Sequence, residues 1–326
     1  TVNSANDNTG VGFAALYSTT SGQYNVALGS SALYSNTTAS NNTAVGYQAG
    51  YSNTTGIITA VGYQAGYGNT TANYNAFFGR FAGYTNTGTN NTFIGDSAAY
   101  NNTTGAYNTA VGFQSLNYNT TADGNTAVGY QSAYSNTTGT RNAAFGIQAL
   151  YSNVTGTDNT AIGRVALNAN TASANTAVGS GALYANTSGQ QNTATGQGAM
   201  QTNTTGSYNV AVGLSALQAN TTASYNTAVG YQALYASTAT ELTALGYRAG
   251  YTATTGVRNT LIGSNTGDIG TFTGAGNVGI GAYVLRNNSS GSANTAVGSN
   301  DGSTNGALNS NTTGSYNVAI LSLIHI

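Results

Sequence analysis

A glycine closing an Asn-Thr-Ala-Val-Gly phrase returns every 16 to 18 residues, starting at Gly12, Gly29, Gly46 and Gly62 and running to Gly281 and Gly298. A period this short decides the class of fold, because a unit of that size cannot enclose a core of its own. Each unit must bury its apolar side chains by stacking on copies of itself. The expected fold is all-β: a parallel β-solenoid, or β-roll, of about 18 coils with 16–18 residues each. We read residues 1–320 as a single β-solenoid repeat domain with irregular coils at 264–281 and 299–316. Residues 321–326 form a non-repeat tail.

Within a coil the residue before the glycine is branched or aromatic, as at Val45, Phe78, Ile94 and Ile162, and a Thr, Val or Ala stands two positions earlier. A spacing of two puts both on one face of a strand and leaves the opposite face to Ala and Gly. One face is bulky, and the other is bare enough for a second layer to approach closely. The second half of each coil carries Ala-Leu-Tyr and then Asn-Thr-Thr-Gly, as in Ala32-Leu33-Tyr34 followed by Asn36-Thr37-Thr38. A helix has too few residues there, so the expectation is a second short strand and a turn built from Asn and Gly.

Only 4% of the 326 residues are charged and the formal net charge is -1. Such a chain has no field with which to attract nucleic acid or an anionic membrane, so neither partner is expected, nor is membrane insertion. Low complexity raises disorder as a competing reading, yet 40% of the residues are hydrophobic and they keep register with the glycine. Without cysteine there are neither disulfides nor thiolate sites. The chain starts without methionine, inside a repeat, and its last residues, Leu321-Ser322-Leu323-Ile324-His325-Ile326, resemble translated adapter sequence at the edge of a metagenomic read. We therefore expect a piece of a longer polypeptide or a processed product.

The Asn-Thr-Ala-Val-Gly phrases resemble the Ser/Asn-x-Ala-x-Gly repeats in the heads of trimeric autotransporter adhesins, and the whole unit resembles repeats of phage tail-fibre proteins. The resemblance spans about residues 8 to 320. It implies a left-handed β-roll and an assembly of three chains, neither of which the spacing dictates. It also implies an extracellular location, on a cell or virion surface.

Opposite charges recur at equal register in adjacent coils: Arg80 with Asp96, Arg141 with Asp158, and Glu241 with Arg258. Stacking makes each a predicted inter-coil ion pair. Asn-x-Ser/Thr sequons stand at Asn36, Asn53, Asn69, Asn102, Asn119, Asn136, Asn153, Asn186, Asn203 and Asn220. They are candidate glycosylation sites, although glycans about 4.8 Å apart would crowd, and a ladder of stacked amides accounts for the same column. The tyrosine column that includes Tyr34, Tyr51, Tyr67, Tyr84 and Tyr100 offers either interchain packing or a platform for receptor sugars.

Catalysis finds no support: the one histidine, His325, lies in the tail and the aspartates are scattered. No enzyme activity, cofactor or metal site is expected. The reading is a structural extracellular fibre segment, an adhesin head or shaft or a phage tail fibre, acting as spacer and attachment surface. Its partners are further copies of itself, as trimer or filament, and a cell-surface or glycan receptor. A self-assembling filament subunit without receptor is the alternative. An ice-binding solenoid is a minor one, since it needs two threonines on one strand face and here Thr43 shares its face with Val45.

Overall fold

A computed structural model of the chain describes residues 6–299 and 306–320. The adapter-like tail 321–326 with His325 lies outside the described residues, as does Asp301 in the irregular coil 299–316. The chain falls into two units, Thr1–Arg164 and Val165–Ile326. The first carries strands β1 (Thr9–Val11) to β10 (Thr160–Ile162), and the second β11 (Thr176–Val178) to β19 (Val318–Ile320). Inside each unit every strand pairs in parallel with the next in the chain, and the phrase keeps its register: Leu28 lies beside Val45, and Val212 beside Val229. Each unit is thus a parallel β-solenoid with one strand per coil. There is no helix among the described residues.

The bare strand face turns into its own coil. The middle residue of the phrase, as at Ala27, Ala44 and Ala228, is completely buried, whereas the bulky residues on either side, such as Val26 and Leu28, face solvent. Alanine fits here because the leucine across the coil, such as Leu33, fills the rest of the interior.

The expected second strand is absent among the described residues. Ala-Leu-Tyr belongs to a run of turns in which every other residue is left-handed: Ser31 and Leu33 have φ of 59° and 49°, and Gln48 and Gly50 follow the same alternation. The reason is packing. Ala32 and Leu33 are both fully buried, and adjacent residues of a strand cannot point to one side. The alternating backbone turns both inward and still hydrogen-bonds from coil to coil, Leu33 N donating to Ala49 O and Ser35 N to Tyr51 O, each at 3.0 Å.

The phrase glycine serves stacking as well as chain reversal. At Gly112 φ is 126°, and a Cβ there would lie 2.6 Å from the carbonyl oxygen of Gly129 in the next coil. Any side chain would push the coils apart.

Core residues exchange volume across the coil. In β5 (Asn75–Phe78) and β6 (Thr92–Ile94) the middle alanine becomes Phe77 or Phe93. Opposite Phe77 the usual leucine becomes Gly66 and Gly83, where an added Cβ would meet its ring atoms at 2.5 Å. In the second unit Leu261 is matched likewise by Gly250 and Gly267.

Candidate interaction surfaces

Two columns of buried asparagine flank this interior. The sequon asparagines Asn36, Asn53, Asn69, Asn102, Asn119, Asn136, Asn153, Asn186, Asn203 and Asn220 are all 0% exposed. Within a coil each donates Nδ2 to the backbone carbonyl three residues on, as Asn136 does to Gly139 O at 2.9 Å. Between coils the amides form a ladder: Asn119 Nδ2 donates to Asn102 Oδ1 at 2.6 Å, and Asn203 Nδ2 to Asn186 Oδ1 at 2.7 Å. A glycan needs that nitrogen free and facing solvent. In the folded coil it is neither, so the amide ladder is what this column builds.

The second column is the asparagine that opens the phrase, whose structural use the sequence reading missed. Asn108 Oδ1 accepts from the backbone N–H of Asn125 at 2.9 Å, while Asn108 Nδ2 donates to Ala122 O at 2.8 Å. Its recurrence in every full phrase was the available signal. Where the column breaks, at Ile58 and Leu242, the backbone N–H is still held by the preceding asparagine, Asn42 or Asn226.

The outward face presents three surfaces. The first is apolar: in the first unit Val11, Leu28, Val45, Val61, Phe78, Ile94, Val111, Val128, Phe145 and Ile162 stand in unbroken register. Phe78 and Ile94 are each 40% exposed, so this is a continuous hydrophobic column and not a scatter of single residues. Thr43 and Thr109 lie beside it, and among the described residues only β12 (Thr193–Thr195) carries two threonines on the corresponding strand face. A separate threonine column spends its hydroxyls along the stack, Thr37 Oγ1 donating to Thr54 O at 3.2 Å.

The second surface is aromatic. Tyr17, Tyr34, Tyr51, Tyr67, Tyr84 and Tyr100 stack at centroid separations of 4.9–5.1 Å and interplanar angles of 5–12°. Each internal ring is covered on both faces by its neighbours, which leaves edges and not faces for a receptor sugar. At the next coil Asn117 takes the ladder position and Tyr118 meets Tyr134 edge-on, at 82°. Burial, followed by a side-chain hydrogen bond with Tyr118, pushes the Tyr134 hydroxyl up to about 12.

The third surface is the sparse charge. Arg80 and Asp96 approach to 2.8 Å, Arg258 and Glu241 to 2.8 Å, and Arg141 grips Asp158 with two bonds of 2.7 and 3.0 Å. The bond from Arg141 holds the Asp158 carboxyl below the usual carboxylate range. A further cluster went unread in the sequence. Asp268, its side chain 3% exposed, faces Arg286 at 3.4 Å and Arg248 at 3.9 Å. Burial pushes its carboxyl up, against the pull of Arg286 and then Arg248. Asp268 and Arg286 both stand five residues after a phrase glycine, so the register that pairs Arg141 with Asp158 would have found them. Both arginines lie against tyrosine rings, Arg248 over Tyr251 and Arg286 over Tyr283.

Among the described residues no three His, Cys, Asp or Glu side chains come together in a way that would hold a metal ion. No protein-family model matches the chain, and no curated protein matches it at a significant level.

Proposed function

We propose that this chain is a structural segment of an extracellular fibre, at a cell or virion surface, that acts as spacer and attachment surface and associates with further copies of itself. The observation that carries the reading is the outward apolar column of the first unit. A half-exposed row of valine, isoleucine and phenylalanine running through consecutive coils is costly to leave in water and marks an interface. Its partner needs the same linear, evenly spaced apolar relief, and a second copy of the chain has it. The resemblance to adhesin heads favours three copies around an axis. Left-handed winding belongs to the same resemblance. A spacer has no chemistry to perform, so the proposal assigns no enzyme activity and no cofactor.

Electron microscopy of the purified chain tests this reading. Short fibres of uniform width, thicker than one solenoid, are expected. Unlimited end-to-end polymers would favour a filament subunit, and isolated single solenoids would contradict self-association.

A further inference from the structure

The corner that leads into the strand, five residues before the phrase glycine, is held in the left-handed region by residues of many kinds, and among the described residues Ile57, before β4 (Ile58–Val61), is the exception. Tyr24, Asn41, Tyr74, Asn90, Tyr107, Arg141 and Asp158 have φ between 56° and 64°. Asparagine or glycine takes that conformation with little strain, and tyrosine does not. Tyrosines nonetheless stand at this corner in the first unit, and Tyr74 and Tyr107 are each 68% exposed. Along the stack Tyr74 lies between Ile57 and Asn90, and Tyr107 between Asn90 and Gly124. Tyr74 N donates to Ile57 O, Asn90 N to Asn73 O, Tyr107 N to Thr89 O and Gly124 N to Ala106 O, which places Asn90 between the two tyrosines and Gly124 beyond the second. Unlike the ladder rings, these two have no ring stacked on them among the described residues.

We propose that Tyr74, Asn90 and Tyr107 form a binding site for a neutral, linear polysaccharide lying along the stacking axis. The two rings are two coils apart, about 10 Å, which is the length of two sugar rings joined end to end. Each exposed ring face takes the apolar face of one pyranose. Between them the Asn90 amide, whose Nδ2 donates to Thr89 Oγ1 at 3.1 Å, offers hydrogen-bonding groups to sugar hydroxyls. An acidic polymer would need cations, and the one arginine in these coils, Arg80, is already paired with Asp96. A protein partner would call for adjoining aromatic anchors that exclude water together, whereas these rings are separated by a small polar residue. The proposal rests on the attachment half of the reading above, and the spacer half does not need it.

The test is an array of neutral linear hexasaccharides of the glucan, N-acetylglucosamine, mannan and galactan types, with hyaluronan and alginate as acidic controls. The wild-type chain is expected to bind at least one neutral glycan. Tyr74→Asn combined with Tyr107→Asn should weaken that binding at least tenfold, and the ladder change Tyr34→Phe should leave it unchanged. Asparagine already occupies this corner at the same φ, so the double variant keeps its backbone, which circular dichroism verifies. Undiminished binding by the double variant, binding to the acidic controls alone, or no glycan binding by the wild type would overturn the site. Labelled wild-type chain applied to intact bacterial and epithelial cells separates the two claims. Adhesion that survives enzymatic removal of surface glycans overturns the site and leaves attachment standing. Absence of adhesion to any cell overturns attachment as well.

Discussion

At Gly112 an added Cβ would fall within bonding-clash distance of the next coil's carbonyl, at a φ that side chains avoid. Gly112→Ala is therefore expected to destabilise the first unit by about 2–4 kcal/mol, the strain and the overpacking acting together. Thermal denaturation measures it, and a variant within about 0.5 kcal/mol of wild type would mean that the glycines do not stack. Asp158 and Asp268 make a second residue-scale pair with opposite signs. The Asp158 carboxyl is lowered by Arg141, so its contribution is present above the unfolded-state value and is lost as pH falls through the lower folded one. Asp268 is raised, chiefly by burial, so the folded state binds the extra proton and its coil gains stability as pH falls through the raised value. Carbon-13 titration of the two carboxyls should find Asp158 below and Asp268 above the ordinary value of about 3.9. The reverse order would refute both assignments. The positions of these charges were legible from the repeat. The left-handed corners were not, because Tyr, Arg and Asp at such φ carry no local sequence mark.

In a single coil the strand was legible and the rest only partly so. The two-residue spacing of Thr43 and Val45 correctly marks one strand face. Ala32-Leu33 fits neither a period of two nor one of 3.6, since both side chains point inward, and a strand was the nearest regular description. The asparagine ladder makes its own element-scale prediction. Asn102→Ala takes the donor from Asn86 Oδ1 and the acceptor from Asn119 Nδ2, both buried. It should cost about 2–4 kcal/mol in chemical denaturation, as three hydrogen bonds between buried groups, including that from Asn102 Nδ2 to Gly105 O, are lost. A cost near zero would show that the ladder is incidental. The exchange of volume across the coil is equally testable. Phe77→Ala alone should cost about 3–5 kcal/mol through the cavity it leaves. Adding Gly66→Leu, the residue that Leu33 shows this turn accepts at φ 49°, should recover a large part of that loss. Simple additivity of the two changes would refute the compensation.

For the whole molecule, composition and period excluded more than they specified. A net charge of -1 argued against a nucleic-acid partner, and the period required stacking. Whether the bare face met its own chain or others was beyond the sequence, because alanine serves equally well in a narrow interior and in a close interchain contact. The structure turns alanine inward and valine outward, and that orientation is the ground on which self-association is proposed. The most direct measurement is sedimentation equilibrium of the full chain beside a variant carrying Ile94→Lys and Val128→Lys, two positions on the outward column of the first unit. These changes leave the buried alanines untouched, so the variant should keep its far-UV circular dichroism spectrum. The account predicts a closed oligomer for the wild type at micromolar concentration and a monomer for the variant. A wild type that stays monomeric at about tenfold higher concentration, or a variant that associates as the wild type does, would contradict it.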